Sequence, residues 1–401
     1  MGRGKDRTKR RWARDDGSPT AVRLSARPVA DSAAGDGDGQ AGGTFVARYG
    51  DAIPTAAFLS FRLGGSDGVA VEAAKWQDAC TTLGFETYTV AGDGPVDRLL
   101  PGLSIGADAP PGRSELVSAL DDADLVVVEN LCSLPLNPGA AAVVAEVMAG
   151  RPGLLHHHDL PWQRPQFADH PPPPDDPRWS HVTINALSCR QLSQRSIAAT
   201  TIYNSFAIGP EAGTSATAGD PERRLRTRAA LGVGDGDRLV LQPTRAIPRK
   251  NVGGGMGVAE ALGATYWLLG PAEDGFDDEL EALVDGAACP VRLGAPSETI
   301  TVDAAYQACD VVVLPSTWEG FGNPSIESVV HRRPLAIGPY PVAGELAAFG
   351  FDWFALSETD RLARWLESPD EGLLDRNAAV ASAHFSLRDL PDRIARVLPD
   401  L

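Results

Sequence analysis

Residues 310–327, DVVVLPSTWEGFGNPSIE, hold two glutamates, Glu319 and Glu327, with seven residues between them. A carboxylate accepts hydrogen bonds from hydroxyls, so such a pair suits sugar and ribose rings. The apolar run 310–316 predicts a buried strand that ends at Pro315-Ser316. A polar turn follows, and a helix is expected to start near Pro324. A helix start at the carboxyl end of a strand offers free N–H groups and a positive dipole end, which stabilise a phosphate. Gly322, Asn323, Pro324 and Ser325 form that junction.

Three other segments end strands in the same way. LQPTRAIPRKN (241–251) delivers Arg245 and then Lys250 just before a helix, with Arg249 as an extra cation. Two cations there would neutralise a diphosphate and stabilise it as a leaving group. SFRLGGSDGV (60–69) carries Gly64 and Gly65, where a bare backbone lets a ligand approach closely. HHHDLPWQRP (156–165) carries three adjacent histidines. In a strand His157 points away from His156 and His158. No Cys or carboxylate set accompanies them in the sequence, so no metal site is expected. By position, Asp159, Trp162, Arg164, Glu129 and Asn130 are acceptor-side candidates. Taken alone, a basic turn is solvated, a Gly-Gly pair is a tight turn, and a strand-end His is buried.

The Glu-x7-Glu pattern in the form EGFGNPSIE resembles the nucleotide-sugar motif of GT-B-fold retaining glycosyltransferases, and most closely glycosyltransferase family 4 (group 1). R-x4-K-N over 245–251 is similar to that family's pyrophosphate-binding pair. The resemblance covers roughly 56–395 and is most specific over 238–346. It implies that Glu319 lies near the hexose hydroxyls and Glu327 binds the ribose, with the base near Leu293. Arg245 and Lys250 would hold the diphosphate, and Gly64 and Gly65 would face the donor phosphates. A strand-end histidine would reach the hexose, His158 in preference to His156. The implied reaction is transfer of a hexose from a UDP- or GDP-sugar with retention, the departing phosphate taking the acceptor proton. The nucleotide-sugar is then a substrate, and no cofactor and no metal is expected, since no Asp-x-Asp motif stands where one would matter. Two other classes remain on the same fold: a nucleotide-sugar-binding protein without turnover, and a sugar phosphorylase or epimerase.

The elements that must position these residues alternate along the chain. Strands are expected over 56–61, 85–92, 124–130, 153–159, 181–187 and 200–206, with helices between them. A second series follows with strands over 238–244, 265–270, 289–294, 310–316 and 334–338. This α/β alternation predicts parallel sheets covered on both faces. The expected architecture is GT-B: two Rossmann-like domains facing a central cleft, with C-terminal helices. The acceptor domain spans 51–206, a linker 207–222 and the nucleotide-sugar domain 223–385. A helix over 386–401 closes the chain. Residues 1–50, basic and then rich in Gly, Ala, Asp and Ser, read as a disordered tail.

Composition limits the partners. The net charge is −17, from 36 basic against 53 acidic residues. That balance argues against non-specific nucleic-acid binding. The five cysteines show no CxxC or zinc spacing and read as reduced thiols. No apolar run reaches membrane-spanning length, and no apolar segment follows the basic N-terminus. A cytoplasmic location and a small soluble acceptor are the expectations, membrane association being disfavoured.

Overall fold

The computed structural model of the chain describes residues 53–65, 67–209, 220–297 and 300–401. The tail over 1–50 and the middle of the stretch read as a linker lie outside the described residues.

The first sheet has seven strands: β1 (Thr55–Arg62), β2 (Glu86–Asp93), β3 (Arg98–Leu99), β4 (Leu125–Glu129), β5 (Gly153–His157), β6 (Trp179–Thr183) and β7 (Ala199–Thr201). Their order is β3-β2-β1-β4-β5-β6-β7, and all neighbours are parallel. The second sheet has six: β8 (Leu239–Gln242), β9 (Thr265–Leu268), β10 (Val291–Leu293), β11 (Val311–Leu314), β12 (Leu335–Ile337) and β13 (Phe354–Ala355). Their order is β10-β9-β8-β11-β12-β13, again all parallel. Helices cover both faces, so β4, β8 and β11 are buried along their whole length. This is why they read as continuous apolar runs and not as alternating ones.

Each sheet reverses its strand order once, between β1 and β4 and between β8 and β11. Ligands of parallel sheets bind outside the carboxyl ends of the strands at such a point. The segments singled out above follow β1, β4, β5, β8 and β11.

Some boundaries differ from the sequence expectation. The run 181–187 is not one strand: β6 stops at Thr183, and Asn185 caps the helix Ala186–Ser193 by accepting from Ser188 N. Strand β7 ends at Thr201, so 202–206 is not strand. The helix Pro221–Ala230, capped by Asp220, was not foreseen, nor were the two-residue strands β3 and β13.

The chain passes between the lobes twice. Phe206 N donates to Phe385 O at 2.8 Å, and Leu387 N donates to Phe206 O at 2.8 Å, so the two passages are bonded to each other. After the second passage, Leu390 and Ile394 bury themselves in the first-lobe core with Ala73 and Trp76. Among the described residues, no helix is long and apolar enough to cross a membrane. All five cysteines are free thiols, three of them buried.

Candidate active site

The turn after β11 carries Glu319 into a buried cluster of cations. Lys250 Nζ donates to Glu319 Oε1 at 2.5 Å, and Arg249 Nη1 donates to Oε2 at 3.0 Å. Ser316 Oγ adds a third bond to Oε1 at 2.6 Å. Lys250 reaches this position because Pro248–Lys250 forms one tight turn after β8. The chain then enters the left-handed region at Asn251 (φ 49°), whose side chain caps the helix Val252–Ala261. Asn251 Nδ2 also donates to Pro315 O at 3.1 Å, tying the β8 and β11 turns together.

Burial alone would raise the Glu319 carboxyl. The charges of Lys250 and Arg249 and the bonds from Lys250 and Ser316 outweigh it and hold that carboxyl below its ordinary value. Burial lowers the Lys250 ammonium, helped by the charges of Arg249 and Arg245 and opposed by Glu319. The result is an ionised carboxylate gripping cations that any incoming diphosphate would also seek.

Arg245 is not part of that grip. Its Nη1 pairs with Glu273, and 40% of its side chain is exposed. Arg249, named in the sequence only as an extra cation, holds Glu319 instead. Glu327 stands apart: it accepts from Tyr306 Oη at 2.5 Å, and burial raises its carboxyl despite that bond and the charge of Lys75. Leu293 closes β10 with 44% of its surface exposed.

Glycine is required twice in the EGFG turn. A Cβ at Gly320 would lie 2.5 Å from His158 O, so only glycine lets this turn touch the end of β5. Gly322 has φ 90°, and a Cβ there would meet the Tyr340 hydroxyl. Gly320 O accepts from Asn185 Nδ2 at 2.6 Å, and Asn323 Oδ1 accepts from Asn204 Nδ2 at 2.8 Å. The carboxyl edges of the two sheets therefore meet at the Glu319 turn. Pro324 and Ser325 are buried behind it, and the Ser325 hydroxyl is covered and has no partner among the described residues. Gly64, at φ 74°, packs against Pro95, whereas a Cβ at Gly65 would meet the Asp67 carboxylate only at an ordinary 3.6 Å.

Strand alternation sends the three histidines to two faces. His157 Nδ1 accepts from Ser133 Oγ at 2.6 Å, and its Nε2 donates to His181 Nδ1 at 2.9 Å. His181 Nε2 donates in turn to Asp175 at 3.1 Å, a direction set by the acceptor-only carboxylate. Burial pushes the His157 ring well below its usual value and keeps it neutral. On the other face, His156 Nδ1 and His158 Nε2 both lie 2.9 Å from one oxygen, Glu129 Oε2. The sequence reading found no carboxylate to accompany these histidines; the end of β4 supplies one. The three donor atoms lie within 4.8 Å of one another, a spacing that could gather a cation, and here they satisfy each other as hydrogen-bond partners.

Burial would raise Glu129, but the charges and bonds of His156 and His158 prevail and lower it to about 2. Burial would lower His158, yet the bond and charge of Glu129, then Glu72 and Asp159, raise it above the usual histidine value. Glu129 and Asn130, read from position as acceptor-side residues, lie beneath the cleft. Glu129 has no exposed side-chain surface, and Asn130 Oδ1 accepts from His158 N and Asp159 N at 3.1 and 3.2 Å. Asp159 pairs with Arg164 at 2.6 Å. Trp162 donates to Gln191 at 2.9 Å beneath the Arg195 guanidinium. A cavity of about 220 Å³ opens between Cys132–Pro135, Pro138, Pro171, Pro172 and Pro174, and neither Lys250 nor Glu319 lines it.

Comparison with known proteins agrees with this architecture. No family model matches the chain. It is 24% identical over 431 residues to the mannosylglucosylglycerate synthase of Thermotoga maritima, covering 86% of this chain and 99% of that one. The protein of the same name from Petrotoga mobilis is 24% identical over 378 residues, covering 74% and 85%. Among solved structures, Anabaena HepE in complex with UDP and glucose superposes with a TM-score of 0.59 at 20% identity, covering 86% of this chain and 98% of that one. A glycosyltransferase from Rickettsia africae superposes with a TM-score of 0.64 at 13% identity, covering 86% and 97%. Two parallel sheets meeting at their carboxyl edges, matched over most of the chain by these structures, make the fold GT-B.

Proposed function

We propose that this chain is a hexosyltransferase of the glycosyltransferase family 4 kind, moving a hexose with retention from a nucleoside-diphosphate sugar to a small soluble acceptor. The observation that carries the reading is the Arg249–Lys250–Glu319 cluster, which abuts the His158 end of β5 through Gly320. The diphosphate would take over Lys250 and Arg249, drawing them from Glu319, and Arg245 would swing from Glu273 to join them. Glu319 would then be free to accept from hexose hydroxyls. Charge growing on the departing phosphate would meet cations already in place, which needs little reorganisation in a water-poor crevice. The phosphate oxygen would accept the acceptor proton on the same face, so no side-chain base is required. Glu327, which here accepts from Tyr306, would turn to bind the ribose.

The relatives support a donor of this class: HepE was solved with UDP and glucose, and the curated relatives are named for making mannosylglucosylglycerate. Glucosylglycerate is accordingly the first acceptor to test, with GDP-mannose and UDP-glucose as donors. Transfer should persist in EDTA, since the chain's own cations carry the diphosphate. Lys250→Ala and Glu319→Ala should each lower turnover at least ~100-fold, the scale of losing a contact made in the transition state. The product's anomeric coupling constant, measured by NMR, reports retention. Near-wild-type turnover in both variants overturns the site.

A further inference from the structure

The Glu129–His156–His158 cluster has a geometry that the reaction outlined above does not use. One carboxylate oxygen receives both imidazoles at 2.9 Å. The three side chains differ in access: His158 keeps 7% of its surface exposed, while Glu129 and His156 keep 0%. Glu129 Oε1 and His156 Nε2 are fully covered and have no partner among the described residues. Trp76 closes the cluster from below, its ring centroid 4.2 Å from that of His156. Only His158 can therefore meet a ligand, and the other two groups can act on it only through the shared oxygen. With Nε2 donating to Glu129, Nδ1 is the ring nitrogen left for the cleft. The backbone of His158 is fixed as well, through Asn130 Oδ1 and the approach of Gly320.

We propose that Glu129 is a positioning residue for His158: it fixes the ring's orientation, presents Nδ1 to the bound hexose, and keeps that nitrogen a hydrogen-bond donor. His156 is the counterweight, drawing on the same oxygen and limiting how strongly Glu129 holds His158. The idea rests on the reading in which His158 faces the donor hexose. The surrounding charges agree with it. From the helix Gly68–Thr82 come Glu72, itself paired with Lys75 at 2.8 Å, and the Cys80 thiol, which burial and Glu129 push up to about 12. From β5 and its exit come His157, neutral on the other face, and Asp159, paired with Arg164. Across the cleft stand Glu319, Lys250 and Arg249, whose two cations exceed the one carboxylate by a single positive charge. Glu129 is the charge in direct contact with the His158 ring, and its bond and charge are the largest of those holding a proton there.

Full-length Glu129→Gln and His156→Gln, labelled at the histidine Cε1 position, test this by NMR titration, with His158→Ala assigning the resonance. Glu129→Gln keeps size and one acceptor but removes the charge, so the His158 midpoint should fall by at least about one pH unit, a tenfold change in protonation. His156→Gln removes the competitor for Oε2, so the midpoint should rise. The alkaline limb of the transfer rate should move in the same two directions, with the KM for donor changing less than kcat. A merely structural role would not give opposite signs. Midpoints that stay put in both variants overturn the proposal, whichever activity the protein has. A His158 resonance that shifts on adding equimolar zinc also overturns it, because a metal would take the lone pairs of nitrogens that here donate. Titration shifts as stated, in a protein that transfers no sugar, would leave the positioning intact and reject the hexosyltransferase reading.

Discussion

Glu129 and Glu319 are both buried carboxylates kept ionised by what surrounds them, one by two imidazoles and the other by an ammonium and a guanidinium. Their effect on stability has a definite sign. A carboxyl depressed in the folded chain stabilises it above its unfolded value and loses that contribution as pH falls through its folded value. For Glu129 the window runs from about 4.5 down to about 2. Acid unfolding followed by tryptophan fluorescence should therefore show a steep loss of stability below pH ~4.5 that Glu129→Gln makes shallower. An unchanged acid limb would mean the carboxylate is not held as the geometry indicates. At this scale the sequence was informative about type and not about pairing. The spacing of Glu319 and Glu327 and the Arg-x4-Lys run stood out because each lies within one short stretch after a strand. The grip of Lys250 and Arg249 on Glu319 crosses about 70 positions of sequence, and no local pattern reports it. Glu129 stood out by its place at a strand end, but its full burial did not, since that depth is set by the packing of the helix Gly68–Thr82 that carries Trp76.

Single elements are also held from the opposite lobe. Glu345 lies in the second-lobe helix Pro341–Ala347, yet its two oxygens cap the start of the first-lobe helix Ala186–Ser193. They accept from Ala186 N at 2.6 Å and Leu187 N at 2.9 Å, and Oε1 also accepts from Tyr203 Oη at 2.8 Å. Burial, then the bond and charge of Glu345, pushes the Tyr203 hydroxyl well above the usual tyrosine value, so it remains a donor throughout the working range. Replacing Glu345 with Ala removes a charged cap and strands the hydroxyl. The expected loss is about 2–3 kcal/mol in urea unfolding, from charge-assisted bonds and a helix cap together. A loss below about 0.5 kcal/mol would show that water replaces the carboxylate without cost. The apolar runs of β4, β8 and β11 were legible because both faces are covered. Strands β3 and β13 were not, because two residues carry no period. The run 181–187 was read through to its end because nothing in its hydropathy marks Asn185 as a cap.

At the scale of the molecule, the last helix belongs by packing to the lobe in which the chain began. Leu390 and Ile394 are fully buried against Ala73 and Trp76, on the helix that also carries Glu72 toward His158. Ile394→Ala should cost about 2–5 kcal/mol, the range for emptying a buried aliphatic site. Hydrogen exchange should then show β1 and β4 losing protection while β8 and β11 keep theirs. Equal loss in both sheets would show that the lobes unfold as one unit.

The bond between Phe206 and Phe385 gives the cleft a mechanical character. Two tethers fastened to each other behave as an axle: one lobe can turn about it, but neither can slide away from the other. Any widening that admits a donor is then a rotation, small at the axle and growing with distance from it. The bonds that cross between the lobes on that arc are Asn185 to Gly320, Asn204 to Asn323, and the Glu345 clasp. Those contacts, and not the axle, set how far the two carboxyl edges stand apart.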